Sequence, residues 1–188
     1  MHAAHGFSLR GFQAGDESAL HAVFHAAVHR TAVRDYTREQ IAAWAPDDPD
    51  LAAWGERMRR NRPFVAVAES PCGPGSPAGE VIAGFADLSD TGYIDTFFVS
   101  PDFGGRGVGR LLMQRLHVQA AARGLKQLAA DVSRTAQPFF MRHGFEVVTQ
   151  GSPLRRGVVV PNARMRKVLA ACDGAGAVPV SAALPPSR

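Results

Sequence analysis

Four glycines (Gly104, Gly105, Gly107 and Gly109) fall within six positions of "VSPDFGGRGVGRLLMQRL", residues 99–116, between an apolar run and an amphipathic one. Glycine is costly to order, so the cluster asks for backbone that tolerates no Cβ. A strand ending near Ser100, a bare turn and a helix opening at Val108 would present free N–H groups and the positive end of a helix dipole to an anion. Phosphate or diphosphate suits that arrangement, with Arg106 and Arg110 adding charge beside it. The same glycines could instead serve only a tight turn and close helix–sheet packing. No Lys-Ser/Thr follows them, which excludes a P-loop, and no first-strand G-x-G-x-x-G with a later acidic residue marks a Rossmann site.

Asp95 is a second unusual residue. It lies mid-strand in "YIDTFFV", where Asp is disfavoured and costly to bury unpaired. Strand alternation puts Tyr93, Asp95, Phe97 and Val99 on one face. His21, His25 and His29 follow at helical spacing along one flank, with no carboxylate or Cys at matching spacing, so a solvated flank is favoured over a metal site. The "RMRRNR" run, residues 57–62, reads as a solvated helix end.

The elements that must position these residues alternate along the chain. Strands are predicted at "FSLRGF", "PFVAVAE", "EVIAGFADLS", "GYIDTFFVS", "LKQLAADVS", "FEVVTQ" and "VVVPNARMRKVL". Asp16 is placed as the cap of a helix with Leu20, Val23, Phe24, Ala27 and Val28 on its buried face. "TREQ" has the form of a capping box opening a short helix through Trp44, and "LAAWGERMRRN" gives a third helix. The glycines lead into a helix to about Arg123, and "TAQPFFMRHG" makes a short helix stopped at Gly144. "SPCGPGSPAG" reads as a loose connection, and residues 171–188, without apolar period, as a disordered tail beyond a single domain of residues 1–170.

Composition limits the function classes. Hydrophobic residues make up 46% and charged residues 20% of 188, enough for one core. The formal charge of +4 is too small and too dispersed for a nucleic-acid binder. No apolar run reaches the roughly 20 residues of a membrane span. Cys72 and Cys172 show no metal spacing, and together these features point to a soluble cytoplasmic protein.

"FFVSPDFGGRGVGRLL" resembles the glycine-rich coenzyme motif of the GNAT superfamily of N-acetyltransferases, and "AQPFFMRHGF" matches its A-x-x-F-Y-x-x-x-G-F motif one helix and one strand later. The resemblance covers about residues 7–169. Two positions depart from it: Gly104 stands where Gln or Arg is usual, and Phe140 where Tyr is usual. It implies an α/β fold with a mostly antiparallel sheet of six to seven strands, helices on both faces, and parallel, splayed fourth and fifth strands. It implies acetyl-CoA as co-substrate, its diphosphate on the amides of Gly104, Gly105, Arg106, Gly107, Val108 and Gly109, beside Arg110. The rest of the coenzyme would lie near Phe98, Val99, Phe139 and Phe140, with the Val99 N–H as a one-donor oxyanion site.

That geometry would turn Asp95 toward the cleft, as a base or as the anchor of a substrate ammonium; an ion pair with an arginine is the structural alternative. With Phe140 lacking a proton, Ser133, Thr135 and Tyr93 are the donors available to the departing thiolate. His29, Tyr36 and Trp44 fall in the region that covers the acceptor pocket in this superfamily, where aromatic rings suit an amine. The expected activity is acetyl transfer to a primary amine by direct attack, without a metal and without a covalent cysteine intermediate. A non-catalytic acyl-CoA-binding sensor is the second hypothesis. Nucleic acid and membrane are not expected partners, while a homodimer, with Arg155, Arg156, Arg164 and Arg166 on its contact surface, is compatible with the pattern.

Overall fold

The computed structural model describes residues 6–69 and 80–169, so the connection at 70–79, both cysteines and the tail at 171–188 lie outside the described residues. The first sheet has the order β1 (Phe7–Gly11), β2 (Phe64–Glu69), β3 (Glu80–Ala86), β5 (Phe97–Val99), all antiparallel. The second has the order β4 (Tyr93–Ile94), β6 (Gln127–Ser133), β10 (Asn162–Val168), β7 (Glu146–Gly151). In sequence between β7 and β10 comes a hairpin of two short strands, β8 (Leu154–Arg155) and β9 (Val158–Val159). Every pairing is antiparallel except β4 with β6. This is the mixed α/β class that the sequence implies.

Helices cover both sheets: α1 (Glu17–Ala26), α2 (Arg38–Trp44), α3 (Leu51–Asn61), α4 (Val108–Ala122) and α5 (Gln137–Arg142). Central β2 is apolar on both faces, and Val65, Ala66, Val67 and Ala68 are all buried. Helix α4 supplies the main core stripe through Val108, Leu112, Met113, Leu116 and Ala120. Burying Leu112, Met113 and Leu116 completely contributes roughly 1.5–3 kcal/mol each, as an upper bound. The capping box forms as expected: Thr37 accepts from the Gln40 amide and Gln40 accepts from the Thr37 amide.

Three sequence expectations need correction. Asp16 does not cap α1 with its side chain; its carboxylate is drawn away by Arg10 at 2.8 and 2.9 Å and by the Gln13 amide. The last strand is split, because Pro161 cannot donate to a ladder and "VV" before it turns into the β8–β9 hairpin.

The fourth strand is also two strands, one in each sheet. Asp87, 2% exposed, accepts from the Asp95 amide at 2.8 Å, the Thr96 amide at 3.0 Å and the Thr96 hydroxyl at 2.7 Å. Asn61 supplies a fourth donor at 2.8 Å. With those two amides taken by a side chain, main-chain pairing there is reduced to the Asp87 N–H on the Thr96 carbonyl at 3.1 Å, and the chain passes from β4 in one sheet to β5 in the other. Beyond that joint β5 and β6 diverge. The splay between the sheets is therefore pinned by one buried carboxylate.

Candidate active site

The glycine turn sits at the mouth of the splay. Gly105 and Gly107 have φ of +73° and +94°, the left-handed region that glycine alone enters freely. A Cβ on Gly109 would come within 3.2 Å of the Phe139 ring, so this glycine is needed for close approach. The amides of Gly104 and Arg106 donate inward, to Pro101 and Phe103 carbonyls. This modifies the expected cradle: among the described residues, the amides of Gly105, Gly107, Val108, Gly109 and Arg110 are those without a carbonyl acceptor. Five free donors at the positive end of a fifteen-residue helix fit a diphosphate. Arg106 lies over the Phe7 and Phe103 rings, at 5.1 and 5.3 Å from their centroids.

From this turn an apolar cavity of about 230 Å³ runs into the splay, bounded by Phe97, Phe98 and Val99 on one side and Ser133 and Thr135 on the other, with Gly109 and Phe139 at its base. The Ser100 amide pairs with the Ala83 carbonyl at 2.9 Å, so in an antiparallel ladder the preceding N–H, that of Val99, points away from β3. It faces the splay. Thus the residues fit a coenzyme with a diphosphate, an extended arm and a carbonyl at its end.

A second cavity, of about 320 Å³, lies on the far side of Trp44 and Phe98, which line both. Phe24 and Trp54 form its aromatic wall, stacked at 5.2 Å. Asp95 borders it, in a bidentate arrangement with Arg57 at 2.8 and 2.9 Å and with Asn61 at 2.7 Å. Burial alone would raise the Asp95 pKa, but the hydrogen bond and charge of Arg57 prevail and hold it below the ordinary value. The arginine pairing expected as the structural alternative is present, and Asp95 still reaches the cavity.

The remaining sequence candidates divide. Trp44 is where an acceptor would meet it. Ser133 lines the apolar cavity, while Thr135 is engaged by Asp35 at 2.6 Å. Tyr36, 6% exposed, is a strut: its hydroxyl donates to the Pro161 carbonyl at 2.6 Å and accepts from the Arg134 amide at 2.8 Å. His29 is bound to the Ala45 carbonyl at 2.7 Å and is absent from the cavity wall. Tyr93 donates to Asp131 at 3.0 Å; burial and Asp131 push its pKa up to about 12, which makes it a poor acid for a thiolate. Phe140 is 2% exposed and packs edge-on against Phe97 and Phe145, as core.

Several cavity residues escaped the sequence reading. His21 lines the acceptor cavity against Trp54, and burial, then the neighbouring His25, lower its pKa from 6.5. Its imidazole is neutral at pH 7. Arg155 and Arg156 reach the cavity from the β8–β9 hairpin, and Asp131 from β6. Their sequence positions carry no signal that would link them to residues 21–57. The fold also gives the histidine flank a carboxylate that spacing did not predict, Asp47, 3.2 Å from His25.

Splayed parallel strands, a glycine-turn anion cradle and two abutting cavities define an acyl-coenzyme A-dependent N-acetyltransferase. The chain belongs to the GNAT acetyltransferase family: residues 32–169 match the family described as "Acetyltransferase (GNAT) domain". It is 34% identical over 158 residues to "Uncharacterized N-acetyltransferase YafP" of Escherichia coli (strain K12), covering 84% of this chain and 93% of that protein. Among solved structures, a GCN5-related N-acetyltransferase from Rhodopseudomonas palustris superposes with a TM-score of 0.75 at 29% identity, covering 90% of this chain and 99% of that one. The fold is also that of yncA, a putative acetyltransferase from Salmonella typhimurium solved with acetyl-CoA, at TM-score 0.59 and 22% identity over 93% of this chain and 98% of that one. Among the described residues no helix is long and apolar enough to cross a membrane.

Proposed function

We propose that this enzyme transfers acetyl from acetyl-CoA to the primary amine of a small molecule by direct attack. The observation that carries the reading is the meeting of two unlike cavities at Trp44 and Phe98, an apolar one leading from the anion cradle and a charged, aromatic one bordered by Asp95. Acetyl-CoA supplies the acetyl group as a thioester. The free amides from Gly105 to Arg110 hold the diphosphate, and Arg110 adds charge. The Val99 N–H donates to the oxygen on which charge develops.

An ammonium must lose a proton before it can attack. Asp95 is too weak a base for that, so it anchors the ammonium, sharing its carboxylate with Arg57. His21 is neutral and on the same cavity, and it accepts the proton. Ser133 donates a hydrogen bond to the departing sulfur, the role that buried Phe140 cannot fill.

The test is thiol release from acetyl-CoA across a panel of primary amines. Asp95→Asn raises KM for the amine about tenfold with coenzyme affinity unchanged. His21→Gln lowers kcat and removes the fall in rate that the wild type shows as pH drops through the His21 pKa, below 6.5. Tight coenzyme binding with no thiol release from any amine would instead leave a coenzyme sensor.

A further inference from the structure

The acceptor cavity contains carboxylates, yet each is already matched. Asp95 is held by Arg57 and Asn61, and Asp131 by Arg164 at 2.6 and 3.0 Å and by Tyr93. Asp50 accepts from the Ala53 amide at 2.9 Å and caps α3. Of the three arginines on the cavity, Arg57 is matched by Asp95 and the other two are not. Arg155 and Arg156 line the same cavity, both exposed, and the ion pairs among the described residues use other cations. Arg156 makes one long hydrogen bond, at 3.4 Å, to the Ala43 carbonyl.

Arg156 is also held in a conformation its side chain does not favour. It has φ +49°, followed by Gly157 at +79°, in the two-residue turn between β8 and β9. Such turns take Asn, Asp or Gly at the first position, because a larger side chain is strained there. Of the described non-glycine residues, Arg62 alone shares a positive φ, and it ends α3, where a left-handed residue is routine. Arg156 ends no helix. A strained cation beside a cavity whose acids are satisfied from within is a position kept for something outside the protein.

We infer that the acceptor is an amino acid with an apolar or aromatic side chain, its carboxylate or phosphonate taken by Arg155 and Arg156 and its amine presented at Asp95. This rests on the acetyl-transfer reading above. Guanidinium forks match the planar, two-oxygen geometry of such groups. Phe24, Trp44, Trp54 and Phe98 give the side chain its walls, and about 320 Å³ is room for one amino acid rather than a polymer.

Thiol release from acetyl-CoA is measured with L-phenylalanine, L-phenylalaninamide and 1-amino-2-phenylethylphosphonate. The wild type favours at least one acid over the amide by tenfold or more in kcat/KM, through KM, and the faster acid identifies the anion. Arg155→Gln/Arg156→Asn brings that ratio within threefold. Its thermal midpoint is at or above that of the wild type, because Asn suits the turn. A wild-type ratio near one, a ratio unchanged in the double variant, or activity confined to amines without an acid overturns the inference and leaves amine acetylation standing. Absence of thiol release from every amine, acidic or not, overturns both.

Discussion

Replacing Asp87 with Ala removes the pin between the two sheets. Four donors lose their acceptor, but not equally. Asn61 still donates to the Asp95 carboxylate and the amide of exposed Asp95 reaches water, whereas the amide and hydroxyl of Thr96, 2% exposed, are left buried and unpaired. At about 1–3 kcal/mol for each stranded donor, the loss is about 4 kcal/mol. Part of it is returned. Burial raises the Asp87 pKa against the pull of its four hydrogen bonds, so the ionised carboxylate is itself poorly placed, and removing it offsets part of that loss. A net loss of about 3 kcal/mol lowers the thermal midpoint of a chain this size by about 6–12 °C. Coenzyme affinity falls at least tenfold, because the splay loses its fixed opening.

The pH dependence has a definite sign. A carboxyl whose folded pKa is raised stabilises the fold below its unfolded value and loses that contribution as pH rises through the folded one. The cost of Asp87→Ala is therefore at least as large at pH 4 as at pH 7. Circular-dichroism melts at both pH values, with calorimetric titration of coenzyme A, measure these effects. A midpoint shift under 2 °C with unchanged affinity would refute the pinning argument.

Gly107→Val places a β-branched residue at φ +94° on the cradle; coenzyme A binds at least tenfold more weakly by calorimetry, with a stability loss of about 1–2 kcal/mol. Tyr36→Phe strands the Arg134 amide and the Pro161 carbonyl, costing about 2 kcal/mol in denaturant unfolding while leaving KM for the amine unchanged. His117, whose Nε2 is buried without a partner, has its pKa lowered to about 4 by burial and by Lys167. Below pH 6.5 the unfolded chain takes up a proton that the folded one refuses, so stability falls from pH 6.5 toward 4. His117→Phe flattens that decline by about 1 kcal/mol, reduced for this half-buried site, as melts across the range would record.

The parts of the site governed by local chemistry were legible in the sequence. Glycines at a helix mouth and "TREQ" each carry their reason within a few residues, whereas Asp95, expected in mid-strand, lies at the joint between β4 and β5. Tertiary partnership was less legible. Asp16 suits a cap until Arg10 competes for it. Tyr36 suits a cavity until two backbone groups at residues 134 and 161 claim its hydroxyl. Asp87 gave no sign of a function, because ending β4 requires knowing that its oxygens face amides eight and nine residues on. The hairpin arginines were read as a contact surface because their spacing says nothing of the first helices they meet across the cavity. Such roles depend on which side chain wins a shared partner.

Within two residues, Asp95 and Thr96, the chain changes its allegiance from one sheet to the other. Chain length at that joint is consequently fixed in a way that surface loops are not, where an added residue costs little. Inserting or deleting one residue there would invert Phe97–Val99, exchanging the faces that meet the coenzyme arm and the hydrophobic interior. Protein engineers wishing to recombine halves of related enzymes should therefore cut elsewhere and carry residues 87–99 across as one indivisible block.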